Sequence, residues 1–150
     1  VKTSKDFKMG FTRYWNNVKP SAELAETIRQ IVKKSNVSIK GGFGEGEAKI
    51  NENVVWLNGD EELGEDYETF FISEEEDWRG NKYNGFCKTQ YRPYDKVVAA
   101  SLIAAAVIDK NAVIIRDGSF PEDDLEGIKL YEEAIGKIPA DAWERLAKQD

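Results

Sequence analysis

Cys87, Lys88, Thr89, Gln90, Tyr91, Arg92, Tyr94 and Asp95 form the densest reactive cluster of the chain, and they run straight into its most apolar segment, Val97 to Ile108. Lys88 and Arg92 are two cations suited to an anion. A helix starting near Arg92 to Asp95 would add unpaired N–H groups and a dipole that favours negative charge. Tyr91 and Tyr94 can stack on a ring or hydrogen-bond. Thr89 and Asp95 can bond a sugar hydroxyl or a base edge. Charged groups are costly to half-bury beside an apolar helix, so this helix mouth is the first candidate for a site. The competing reading is local: Asp95 serves its own first turn, and Lys88 and Arg92 pair with the acids that precede them.

The chain has no histidine. That removes the commonest general base, the common activators of serine and cysteine nucleophiles, and the usual zinc ligands. Cys87 lies beside Lys88, which favours a thiolate. Without a histidine base, a small half-buried core cysteine is the expected role.

Three further segments have chemistry-bearing residues. GGFGEGE (Gly41 to Glu47) is rich enough in glycine to cradle a phosphate. No Lys-Ser or Lys-Thr follows it, and Glu45 and Glu47 oppose an anion, so a flexible hairpin or flap is expected. Asp60 to Asp77 holds ten carboxylates and no basic residue, without the spacing of a calcium loop. A solvated face is the first reading there, with a divalent-ion site and charge mimicry of nucleic acid as the alternatives. Finally, Thr12, Tyr14 and Trp15 in GFTRYW, with Glu68 and Thr69 in YETF, could face one pocket or could be cross-strand pairs. The expectation is one concavity holding Thr12, Tyr14 or Trp15, Glu68 and the Lys88 to Asp95 segment. Tyr14, Trp15 or Tyr94 would stack, and Asn58, Glu68, Thr89 and Asp95 would hydrogen-bond.

The elements that must position these groups are legible from periodicity. Gly10 to Trp15 alternates as a strand, with Phe11, Arg13 and Trp15 on one face and Thr12 and Tyr14 on the other. Ser21 is placed to cap a helix whose apolar residues, Leu24, Ile28, Ile31 and Val32, recur at helical spacing as far as about Lys34. Val37 to Lys40, Ala48 to Ile50, Val54 to Leu57 and Tyr67 to Ile72 read as strands. Ser73 to Asn84 reads as a charged connection. A central helix runs from about Pro93 to Asp109. It is apolar nearly all round, so it must be covered on most sides. Either a sheet and flanking helices cover it, or a second copy does, in a homodimer. Ala112 to Gly118 reads as a buried strand. An amphipathic helix follows, with Leu125, Ile128, Tyr131, Ala134 and Ile135 inward. Pro139 opens a last helix with Trp143 and Leu146.

A chain of 150 residues is one domain by length and can bury about 70% of its unfolded surface. The expected class is α+β: residues 1–150 as a single domain, with an antiparallel or mixed sheet packed on a buried central helix and flanked by amphipathic helices. One cysteine excludes an internal disulfide and, with no visible leader, suggests the cytoplasm. The apolar run is too short for a bilayer, so no membrane is expected. A net charge of −7 opposes direct nucleic-acid binding, which needs a positive field.

GFTRYW, the WLNG…YETF stretch from Trp56 to Phe70, and FCKTQYRPYD from Phe86 to Asp95 together resemble a family of small uncharacterised proteins of bacteria and their phages. In that family the three read like GYTHYW, FNG…HETF and FCKT-x-x-x-PYD followed by an apolar helix. Arg13 and Tyr67 stand where the family pattern has histidine. The resemblance implies a small host-interaction or anti-defence protein acting in the host cytoplasm if phage-encoded. Some proteins of that kind sequester nucleotide signals.

The function expected from the sequence is therefore a non-catalytic protein that binds a small nucleotide-like or phosphorylated ligand. Lys88 and Arg92 would hold the anion, and no cofactor or metal would be involved. One alternative is an acidic interaction protein or nucleic-acid mimic that inhibits a host protein. Another is an enzyme using a carboxylate such as Glu68 or Asp95, with or without a metal ion.

Overall fold

The computed structural model describes residues 10–74 and 85–149. In chain order the elements are β1 (Thr12–Asn16), α1 (Ala22–Ser35), β2 (Lys49–Ile50), β3 (Val55–Leu57), β4 (Phe70–Ile72), β5 (Gly85–Lys88), α2 (Asp95–Ile108), β6 (Val113–Arg116), α3 (Leu125–Ala134) and α4 (Ala140–Lys148). The fold is mixed α+β. Its strands form two antiparallel three-stranded sheets, ordered β5–β1–β6 and β2–β3–β4. The connection expected from Ser73 to Asn84 lies mostly outside the described residues.

The alternation in GFTRYW builds β1 as read: Arg13 and Trp15 are buried, while Thr12, Tyr14 and Asn16 lie on the other face. β1 is the middle strand, so both its edges are bonded. Ser21 Oγ accepts the Leu24 N–H at 3.0 Å and starts α1. Asn36, at φ 59°, ends it in the left-handed region.

The central helix is the keystone. In α2, Val97 to Ala106 are all buried, and the helix packs on α1, α3, α4 and β6. The inner faces of both sheets and the flanking helices share one core with it, including Trp15, Leu57, Phe70, Ile103 and Ile128. The apolar surface of α2 is thus covered within a single chain. Among the described residues no helix is long and apolar enough to cross a membrane.

Two expected elements differ, and one strand was not expected. Val37 to Lys40 alternates like a strand but is none; Lys40 makes only an isolated bridge with Asn58. Side chains hold the segment instead: the Val37 N–H donates to Ser35 Oγ at 3.1 Å, and Ser38 Oγ donates to Asp60 Oδ2 at 2.7 Å. The strand β5 had no periodic signal, and pairing with β1 imposes it. In α3 the inward face is Gly127, Ile128, Leu130 and Tyr131, while Leu125 is 61% exposed and Ile135 is also exposed. Gly127 sets this phase. A Cβ there would stand 2.4 Å from the Ala99 methyl, so α3 meets α2 through its glycine.

β6, expected as a buried strand, is buried at Ile114 and Arg116 and only partly at Val113 and Ile115, because it is an edge. Its outer edge is closed by one side chain. Gln149 Oε1 accepts the Ile114 N–H at 2.8 Å, and Gln149 Nε2 donates to the Ala112 carbonyl at 3.2 Å. An exposed edge invites pairing with another chain, and here an amide from beyond α4 takes the place of a strand.

Candidate functional site

The first layer of the helix mouth is a buried ion cluster. Arg13, on the inner face of β1, donates from Nε to Asp95 Oδ1 at 2.8 Å and from Nη2 to Asp95 Oδ2 at 2.9 Å. Its Nη1 reaches Asp124 Oδ1 at 2.6 Å. Arg116 Nη2 donates to the other Asp124 oxygen at 3.3 Å, and Thr89 Oγ1 donates to Asp95 Oδ1 at 2.5 Å. Two arginines and two aspartates neutralise one another out of water. Burial alone would push the Arg13 pKa down; the charges of Asp95 and Asp124, with their hydrogen bonds, more than reverse this. The expectation that Asp95 serves only its own helix turn is therefore incomplete, because it anchors that turn to β1.

The second layer is also closed. The Tyr94 hydroxyl donates to the Glu68 carbonyl at 2.6 Å. The Cys87 thiol reaches the same carbonyl at 3.4 Å. Burial pushes both the Cys87 and the Tyr94 pKa up. Cys87 is wholly buried rather than half-buried. The thiolate that Lys88 could have favoured is thus disfavoured. The native protein should resist iodoacetamide at mildly alkaline pH for as long as the unfolded chain needs to react completely, as intact mass would show. Rapid native labelling would mean that this core opens.

Other predicted site residues hold the frame together. Asn58 Nδ2 donates to the Gly42 and Tyr67 carbonyls, both at 3.0 Å. Its Oδ1 accepts from the Gly59 and Tyr67 N–H groups, so the amide ties three segments. Glu68 Oε1 accepts the Lys88 N–H at 2.7 Å. Trp15 is buried, edge-on to Phe70 at 5.3 Å. Of the residues expected in one concavity, Trp15 faces the core and cannot line it, whereas Thr12 and Tyr14 lie on the other face of the sheet, opposite Lys88 and Phe86.

The cations behave differently. Neither Lys88 nor Arg92 is ion-paired among the described residues; of the acids that the competing reading paired with them, Glu75, Glu76 and Asp77 lie outside those residues. Both approach the Tyr67 ring, Lys88 Nζ at 5.9 Å and the Arg92 guanidinium carbon at 5.8 Å from its centroid. Gln90 Nε2 donates to the Tyr67 hydroxyl at 3.2 Å. The loop that carries them is bent by two successive left-handed residues, Gln90 at φ 54° and Tyr91 at φ 57°. Such conformations are uncommon outside glycine and gather at functional sites.

Arg92 also borders a cleft of about 600 Å³ between the start of α2, the end of α1 and the loop after β3. Tyr91, Pro93, Lys96, Glu65 and Glu126 are among its walls. A smaller hollow of about 180 Å³ adjoins it, sharing Tyr91 and Glu126, and opens onto Arg13 and Asp95. Tyr91 stands between the two, stacked on Phe11 at 4.1 Å, and donates its hydroxyl to Asp123 Oδ1 at 2.9 Å. Burial, then that carboxylate, raises its pKa.

Sequence reasoning missed Lys96, which follows Arg92 by four residues, a readable signal at a helix start. It marked Tyr67 only as a departure from the resembled pattern and gave it no role at the site. No group of acids, cysteine or histidine able to hold a metal ion occurs among the described residues. Comparison with family models, with curated proteins and with solved structures gave no match.

Proposed function

We propose that the protein is a non-catalytic binder of a small phosphorylated, nucleotide-like ligand, held in the cleft at the start of α2. One observation carries this reading: Arg92 and Lys96 border the same cleft and neither is ion-paired among the described residues. In a chain of net charge −7, two such cations on one concavity are a local exception to the field. The first turn of the 14-residue helix α2 lies beside them, and its dipole favours the same anion. Clefts of roughly 300–1,000 Å³ take ligands of nucleotide size. Glu65 and Glu126, on the same walls, suit hydroxyl or amino donors on the ligand. The reading thus favours a mixed ligand over simple phosphate. Thr89, Tyr94 and Asp95 support the loop from below, and Lys88 with Tyr67 extends it outward. Sequestering such a ligand fits the setting that the sequence resemblance implies.

The test is calorimetric titration with AMP, ADP and a cyclic dinucleotide, alongside mass spectrometry of whatever copurifies and a turnover assay. A charge-assisted hydrogen bond to phosphate contributes roughly 1.5–3 kcal/mol when partly dried. Arg92→Ala or Lys96→Ala should therefore weaken binding by about one to two decades. Cys87→Ser, remote from the cleft, should leave it nearly unchanged. Unaltered affinity in both cation variants, or turnover of the ligand, would overturn the proposal.

A further inference from the structure

The sheet β2–β3–β4 turns an aromatic face to solvent, and none of its aromatic residues lines the cleft. Lys49, Trp56 and Phe71 lie directly opposite one another across its three strands and so share one face. Phe43, from the glycine-rich loop, stands edge-on to Trp56 with ring centroids 5.5 Å apart. Phe43 is 73% exposed and Phe71 47%. Isolated exposed apolar residues are ordinary, but grouped aromatics on one face mark interaction sites.

The loop presenting Phe43 is pinned, which corrects the expectation of a flexible hairpin or flap. Gly44 N–H donates to the Gly41 carbonyl at 2.9 Å, and the Gly44 carbonyl accepts from Glu61 N–H at 2.9 Å. At Gly42 a Cβ would stand 2.1 Å from Trp56 Nε1, so only glycine lets this turn lie on the indole. A fixed, solvent-facing ring loses little freedom on binding.

The surroundings are acidic. Glu45 and Glu47 follow on the same loop and are exposed. Glu61 and Glu62 lie on the turn bonded to Gly44. The Asp66 carboxylate lies 3.3 Å from where a Gly44 Cβ would stand. Lys49 is a cation of the face, 5.3 Å from the Trp56 ring, and Lys40, opposite Asn58, is another at its edge. Aromatic anchors inside a charged rim are the anatomy of an interface hot spot.

We propose that the Phe43–Trp56–Phe71 face is a docking surface for a protein partner that offers an apolar socket inside a basic rim. A second copy would set acidic rim against acidic rim, each on a chain of net charge −7, which is unfavourable. Nucleic acid and anionic membranes are repelled by the same charges.

Two synthetic peptides of equal length and charge test the surface, one an amphipathic Lys/Leu helix and the other Lys/Gln. By calorimetry at low salt the Lys/Leu peptide should bind about tenfold tighter or more, because it alone supplies an apolar counterpart. Phe43→Ala should remove that difference, while Leu125→Ala, an exposed apolar change elsewhere, should keep it. Glu61→Gln with Glu62→Gln should weaken both peptides and flatten their salt dependence. Equal binding of the two peptides, or binding indifferent to Phe43→Ala, would reduce the surface to charge adhesion and overturn the proposal. Sedimentation showing a dimer of the protein alone that Phe43→Ala dissolves would assign the face to a second copy, and would also overturn it.

Discussion

Arg13→Met is expected to destabilise the protein by about 3–5 kcal/mol, the cost typical of breaking a buried ion pair from one side. Arg13 is almost fully buried and fastens β1 to both Asp95, at the start of α2, and Asp124, before α3. Removing it leaves Asp124 with Arg116 as its nearby arginine and Asp95 with the Thr89 hydroxyl in place of a cation. A domain of this size has a total stability of about 5–15 kcal/mol. The melting temperature should therefore fall by about 6–20 °C, at roughly 2–4 °C per kcal/mol. Arg13→Lys should recover only part of the loss, because a single ammonium cannot reproduce the bidentate fork on Asp95. The decisive measurement is a double-mutant cycle with Asp95→Asn in urea. If the cluster acts as a unit, the double variant should be more stable than the sum of the single losses implies. Strict additivity, or a loss near 1 kcal/mol in the single variant, would show that Arg13 stabilises by packing alone.

That cluster also shows where sequence reading ends. β1, α1 and α2 were legible because each is written locally: alternation in GFTRYW, a Ser21 cap before a helical repeat, an unbroken apolar run. The partners of Arg13 stand 82 and 111 residues away along the chain, and no local pattern announces them. The same holds for β5. Gly85 to Lys88 has no strand signature, yet it pairs with β1 because Gly85 leaves room for the Trp15 indole, which a Cβ would meet at 2.0 Å. Val37 to Lys40 is the converse case, a local alternation without a partner strand to complete it. At the site, the sequence singled out Lys88 and Arg92. It could not separate the residues turned outward from Thr89, Tyr94 and Asp95, which the same few positions turn into the core. The two left-handed residues between them, Gln90 and Tyr91, produce that division.

Leu102→Ala is expected to cost about 2–5 kcal/mol, the range for deleting a buried leucine and leaving a cavity. The size of the loss within that range depends on whether neighbours can close in. Here they are already close. α2 holds Ala99, Ala100, Ala104, Ala105 and Ala106, all buried, and Gly127 brings α3 against Ala99 with no space for a methyl group. The helix backbone therefore cannot slide to fill the void, and the upper half of the range is expected. Leu125→Ala on α3, where the side chain is 61% exposed, should change stability by no more than about 0.5 kcal/mol. Because α2 is covered within one chain, the Leu102→Ala loss should not depend on protein concentration. If α2 were instead buried by a second copy, the midpoint of unfolding would move with concentration by mass action. Urea unfolding of both variants over a wide concentration range separates these outcomes. A loss below about 1 kcal/mol for Leu102→Ala, or a concentration-dependent midpoint, would remove α2 from the centre of the single-chain fold.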